Sequence, residues 1–291
     1  MAIVLTAANQ KGGVGKTITT VCLAAILTDM GKKVLTISLD PQRNFDMVAG
    51  KGALIARNDT TSLSMLHVMR GECMLREAIV STDIGDLVRA SSQLYQWTGE
   101  QNISVEEYLA IRDDLLALQK LLDERVVNGG QNIKVVHKRL EDVKDDYDFI
   151  LIDTNPSLTL LTMNSIYAAD YVLIPAFPDK TSTEAILELW DTIQGVNYYN
   201  PNRNVKVIGI LMTACNTRTI AYTRHAKKYS VLTKKMGTRL FRTKIRKSAR
   251  AADYIETGID LIHYDPKGTT TQDYYEFTDE LLKALKEEGR L

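Results

Sequence analysis

Cysteine is scarce in this chain. Cys22, Cys73 and Cys215 are odd in number, far apart and in no CxxC or Cys/His spacing, which argues against a disulfide framework, a zinc site or a cluster bound within one chain. Reduced thiols in a cytoplasm are the expectation. An excess of one charge is also missing: 36 Lys+Arg balance 36 Asp+Glu, so no global basic field announces nucleic acid, and such a partner would have to meet a local patch. No segment approaches the ~20 apolar residues of a membrane span. The opening MAIVLTAANQ has no basic region followed by a long apolar run, so no export signal is legible. Internal repeats, low-complexity segments and interdomain linkers are absent too. What is present is enough apolar material, 45% of 291 residues, to build a large core as one α/β domain over residues 1–291.

Short apolar runs alternate with longer helical patterns. IVLTAA (Ile3 to Ala8), KVLTISLD (Lys33 to Asp40), FILID (Phe149 to Asp153), YVLIPA (Tyr171 to Ala176) and VKVIGILM (Val205 to Met212) are continuous rather than alternating, which suits strands covered on both faces. The expected architecture is a mostly parallel, twisted sheet flanked by helices. Between the first two runs, TTVCLAAILTDMGKK predicts a helix closed at Gly31, where positive φ is free of cost. Ser104 to Val126 opens with a capping box, Ser104 and Glu107, and carries Tyr108, Ile111, Leu115, Leu118 and Leu122 at helical spacing. That predicts a long packed helix ended by the glycines after Asn128. The polar stretch from Gly50 to Asp59 reads as a loop within the domain.

The densest chemistry lies in QKGGVGKTITT, Gln10 to Thr20, after the first strand and before the first helix. Gly12, Gly13 and Gly15 let successive backbone N–H groups turn inward at the positive end of a helix, which makes an anion nest. Phosphate is the expected occupant, with Lys16 reaching β- and γ-phosphates and the Thr17 hydroxyl serving Mg²⁺. The usual GxxxxGK[ST] pattern wants glycine at position 10 and finds Gln10, while Lys11 is an added lysine. A second carboxylate is needed near the metal; Asp153, at the end of FILID, is placed for it or caps the next turn. Asp40, ending SLD, either orients an attacking water or forms an Asp-Pro turn.

Together KGGVGKT, SLDPQRN and FILIDTNPSLTLLTMNSIYAADYVLIP resemble the deviant Walker A, DxDPQGN and Walker B segments of the ParA/MinD class of ATPases, most closely the ParA (Soj-like) partition ATPases. The similarity covers nearly the whole chain and is least from about Leu94 to Lys134. It implies a P-loop NTPase fold with ATP and Mg²⁺ as cofactors. It also implies a homodimer formed on ATP, in which the extra lysine, here Lys11, reaches the partner's phosphates. Lys11, Lys16 and Asp40 would then serve catalysis. Gly12, Gly13, Val14, Gly15, Thr17 and Thr19 would join the two lysines around the nucleotide, and Thr17 and Asp153 would serve the metal. Asn216 and the Pro178 to Asp179 turn fall where relatives line the adenine. Three positions depart from the pattern: Ser38 for an aspartate, Arg43 for a glycine and Asn155 for a proline.

The tail DYYEFTDELLKALKEEGRL is acidic, unlike the basic amphipathic helix with which MinD-like relatives bind membranes, so no membrane partner is expected. The cysteines do not match the cluster motifs of the reductase relatives. RLFRTKIRKSARAADYIETG, by contrast, holds Arg239, Arg242, Lys244, Arg246, Lys247 and Arg250 before its first acid, Asp253. It resembles the ParA stretch IPRNVRLSEAPSxG, whose basic residues contact DNA without sequence preference: Lys247 and Arg250 match its two arginines, and Arg246 replaces the proline. Arg218, in NTRT, is a further candidate. Without the resemblance, a charge run is most often a solvated face. No helix-turn-helix precedes the phosphate loop, so operator-specific binding is not expected. The expectation is a partition ATPase that binds duplex DNA nonspecifically and is triggered by a ParB-type partner. The rivals are a ParA-like ATPase positioning a protein cargo and a metabolic P-loop enzyme, the latter without a recognisable second-substrate site.

Overall fold

Buried backbone donors and acceptors must be paired, and strands buried on both faces pair with one another. The protein is described by a computed structural model over residues 1–49, 63–97, 133–199 and 204–291. Its strands are β1 (Ile3–Ala7), β2 (Val34–Ser38), β3 (Ile79–Thr82), β4 (Gly85–Val88), β5 (Phe149–Asp153), β6 (Tyr171–Ala176), β7 (Lys206–Cys215) and β8 (Leu240–Arg246). They form one eight-stranded sheet in the order β3-β4-β2-β5-β1-β6-β7-β8. Every pairing is parallel except that of β3 with β4. β1, β2, β5, β6 and β7 lie on the five apolar runs. The expected long helix from Ser104 and the loop from Gly50 fall outside the described residues.

The period-2 geometry of a strand splits the apolar residues between two layers. Val4, Ile37, Ile152 and Ile174 enter one core; Leu5, Val34, Leu151 and Leu173 enter the other. Helices cover both faces: α1 (Lys16–Asp29), α2 (Met65–Arg70), α3 (Leu94–Trp97), α4 (Val135–Leu140), α5 (Leu160–Ala168), α6 (Lys180–Tyr199), α7 (Ile220–Lys235), α8 (Arg250–Thr257), α9 (Leu261–Tyr264) and α10 (Thr269–Glu287). Burying each Phe, Leu or Ile in these layers stabilises the fold by roughly 1.5–3 kcal/mol. α1 stops as its sequence predicts: Gly31 has φ +76°, and the Gly31 and Lys32 N–H groups return to Thr28 and Leu27 carbonyls at 2.8 and 3.0 Å.

Strand order decides where chemistry can occur. The chain leaves β1 for β2 on one side and places β6 on the other, so a crevice opens at the carboxyl end of β1, as at topological switch points generally. There the register sets Asp153 opposite both Ala7 of β1 and Ser38 of β2. The phosphate loop, Asp153 and the Asp40 turn therefore emerge side by side.

Candidate phosphate and metal site

The loop after β1 is pinned before it turns. Asn9 donates its Nδ2 to the Pro175 carbonyl at 2.8 Å and accepts the Lys11 N–H at 2.9 Å. Val14 is buried and its carbonyl accepts the Thr213 hydroxyl at 2.7 Å. Gly13 and Gly15 have φ of +72° and +90°, values at which a side chain would be strained. Gly15 caps α1 with no side-chain hydrogen bond, so the first-turn N–H groups keep their capacity for an anion.

Lys16 folds back across this loop. Its Nζ donates to the Asn9 and Lys11 carbonyls at 3.0 and 3.1 Å. Burial pulls its pKa down to about 8 against the opposing pull of Asp153 and Asp40. An ammonium that is buried and held only by carbonyls is matched to an anionic ligand. The Thr17 hydroxyl donates to Asp153 Oδ2 at 3.1 Å. Asp153 is fully buried, and its Oδ1 has no hydrogen-bond partner. Burial, then the charge of Asp40, pushes its carboxyl up to about 7. A buried carboxylate with one free oxygen beside a hydroxyl fits a hard divalent cation, whose charge would reverse that shift. Among the described residues no group of three His, Cys, Asp or Glu side chains is gathered. Thr17 and Asp153 alone suit magnesium, which takes few protein ligands and completes its shell with phosphate and water. The site therefore fits a magnesium nucleotide.

Asp40 stands at the crevice wall. It is buried, its Oδ1 accepts the Gln42 N–H at 2.9 Å, and burial raises its pKa despite that bond and the Lys16 charge. The turn it opens explains Arg43: φ there is +59°, a left-handed conformation that glycine adopts freely. Arginine is retained by an ion pair from its Nε to Asp46 Oδ2 at 2.9 Å, and Asp46 is fully buried. At the third departure, Asn155 accepts the Thr162 hydroxyl at 3.1 Å. A cleft of about 700 Å³ separates these two turns.

Lys11 points elsewhere. Its Nζ meets Asp179 Oδ2 at 2.5 Å and Ser182 Oγ at 3.3 Å, and lies 5.2 Å from the Phe177 ring centroid. Pro178 is half-buried beside it. Asn216 is exposed, its side chain accepting the Arg218 N–H at 3.3 Å in the turn before α7. Thr19 is not brought to the loop. It is fully buried, with its hydroxyl 3.1 Å from the Tyr274 hydroxyl, because a helix advances about 100° per residue and turns it away from Thr17.

The basic segment is divided by structure. Arg246 is held by Asp273 at 2.6 Å, Arg250 by Asp265 at 3.0 Å and Arg239 by Glu287 at 2.6 Å. Lys247 and Arg218 are exposed. Sequence reading missed Asn9, which anchors the loop, and Asp46, which anchors Arg43. Signals existed in a polar residue ending an apolar strand and in a bulky residue where glycine is usual.

A family profile described as an AAA domain matches residues 2–207. The chain belongs to this AAA-domain family. Among its relatives, the sporulation initiation inhibitor protein Soj of Bacillus subtilis is 28% identical over 97% of this chain and 98% of its own. The chromosome partitioning protein ParA of Caulobacter vibrioides is 28% identical over 98% and 95%. Among solved structures, the cobyrinic acid a,c-diamide synthase of Mycobacterium smegmatis with bound ADP and magnesium superposes with a TM-score of 0.72 at 25% identity, over 98% and 96% of the two chains. The AAA-domain chain is thus a ParA/Soj-like member of the ParA/MinD class, with the P-loop fold that its motifs predicted. Among the described residues, no helix is long and apolar enough to cross a membrane.

Proposed function

We propose that this protein is a magnesium-dependent ATPase of DNA partition. ATP brings two subunits together, the dimer holds duplex DNA without sequence preference, and a ParB-type partner triggers hydrolysis during plasmid or chromosome segregation. The observation that carries the reading is the convergence of Lys16, Thr17, Asp153 and Asp40 at the carboxyl ends of three adjacent strands. The partition names of relatives that align over nearly the whole chain support its biological setting.

Magnesium, when bound, would neutralise charge building on the phosphates, with Thr17 and Asp153 holding it. Loop N–H groups and the Lys16 ammonium hold the β- and γ-phosphates in place. Asp40 orients the attacking water, and such positioning is most of what phosphoryl transfer asks of a protein. Lys11, which is not committed to its own phosphate loop, can serve a second subunit's nucleotide. Adenine rests by Asn216 and Pro178.

ATP turnover, measured with long duplex DNA and with any small DNA-binding protein found to be encoded beside this gene, tests the reading. Stimulation that requires both supports partition. Stimulation by a protein cargo with DNA absent would overturn it in favour of cargo positioning.

A further inference from the structure

We propose that the outward face of α7 is the principal surface by which this protein grips duplex DNA, an inference that rests on the DNA reading above. The helix reads IAYTRHAKKYSVLTKK, with five cations and no acid. His225, Tyr229 and Thr233 are buried, while Arg224, Lys227, Lys228, Val231 and Lys235 are exposed. At about 100° per residue, these five exposed positions fall on one stripe. Among the described residues, none of its four cations takes an ion pair or hydrogen bond, in contrast with the acid-bound Arg239, Arg246 and Arg250.

The stripe is continuous with the end of the sheet. Lys244 of β8 lies 6.0 Å from the ring of Tyr222 in the first turn of α7. The Lys247 N–H bonds the Cys215 carbonyl at 3.2 Å, which sets Lys247 beside the strand that leads through Arg218 into α7. From Arg224 to Lys235 the stripe runs about 16 Å at the helical rise. One DNA strand presents a phosphate about every 3.4 Å along the duplex axis, so several fall within reach of the stripe. Unpaired cations on a rigid helix suit such a linear polyanion, because no ion pair has to break for them to bind. A lipid surface suits it less. The apolar face of α7 is spent on packing against β7 and α6, and a membrane-bound helix needs that face for the acyl boundary.

The test is binding of ATP-loaded protein to long duplex DNA of arbitrary sequence across a salt series. The variants are Lys227→Ala with Lys228→Ala, and Lys283→Ala with Lys286→Ala, a pair of exposed α10 lysines that matches the change in net charge. The α7 variant is expected to unfold at the wild-type temperature and to bind more weakly, with the slope of log K against log[salt] shallower by about 0.9 for each lysine that met a phosphate. The α10 variant keeps the wild-type slope. If the α7 variant binds DNA with wild-type affinity and slope, the surface assignment is overturned while DNA binding stands. If wild-type protein with ATP binds no duplex, the DNA reading falls and takes the proposal with it. Loss of binding to phosphatidylserine vesicles with DNA binding intact would make the occupant a lipid surface and would also overturn the proposal.

Discussion

Lys11 and Asp179 are joined across the mouth of the crevice, so the lysine that opens the phosphate loop is held by the turn before α6 and not by the loop itself. Partial burial pushes the Asp179 carboxyl up, but the hydrogen bond from Lys11 and those from Ser182 and Thr181 outweigh it and hold it at about 2. Lys11 must leave this partner to serve a second subunit. The pair is part-exposed, so releasing it costs about 0.5–1 kcal/mol. Asp179→Asn should therefore dimerise at a two- to five-fold lower ATP concentration, whereas Lys11→Ala should bind nucleotide and stay monomeric. Light scattering during an ATP titration distinguishes the two. A normal dimer from Lys11→Ala would return it to an ordinary loop residue.

Asp40→Ala should hold ATP and dimerise but turn over slowly. It removes the carboxylate at the crevice wall and leaves Lys16, Thr17 and Asp153 untouched. A positioned proton acceptor contributes about 10²–10⁴-fold, and single-turnover hydrolysis should fall by a factor in that range. Unchanged hydrolysis would leave Asp40 as the former of its turn.

Arg43→Gly sets two effects against each other. Glycine relieves a left-handed φ that costs an ordinary residue about 1–3 kcal/mol. It also strips the partner from a fully buried carboxylate, and breaking a buried pair costs about 3–5 kcal/mol. The second effect wins, so urea unfolding should show net destabilisation, partly recovered by adding Asp46→Ala. A more stable Arg43→Gly protein would mean that the Asp46 pairing contributes little.

His263 joins α9 to the end of α1. Its Nδ1 lies 2.6 Å from Asp260 and its Nε2 3.7 Å from Asp29. Partial burial lowers its pKa, but the Asp260 hydrogen bond with the charges of Asp260 and Asp29 raises it by more, for a net increase. A raised folded-state pKa gives stability that is present below the unfolded value of about 6.5 and lost as pH rises through the folded value. The stability gap between wild type and His263→Gln should be widest in mild acid and close toward alkaline pH. A gap that widens with pH would contradict the pairing.

Much of this was legible because buried parallel strands write themselves as unbroken apolar runs. β8 was not: LFRTKIR alternates apolar and charged residues, since it is an edge strand with only Phe241 and Ile245 fully buried. β3 and β4 are four residues each, too short to carry a pattern. Phosphate-loop chemistry could be read from residue types in order, because the loop's glycines, lysines and Thr17 are contiguous and Asp40 and Asp153 each end an apolar run. The division of the basic segment could not, because Asp265, Asp273 and Glu287, which neutralise half of it, lie beyond its end. The cations of α7 are interleaved with core residues and form a stripe only after the helix winds.

The most direct measurement of the central claim is the mass of the Asp40→Ala protein in magnesium and saturating ATP, by light scattering behind size exclusion, with ADP as the control. A nucleotide held between two subunits by Lys16 in one and Lys11 in the other requires twice the 32.6 kDa chain mass with ATP and a monomer with ADP. A protein that binds ATP fully and remains at the monomer mass would contradict the account.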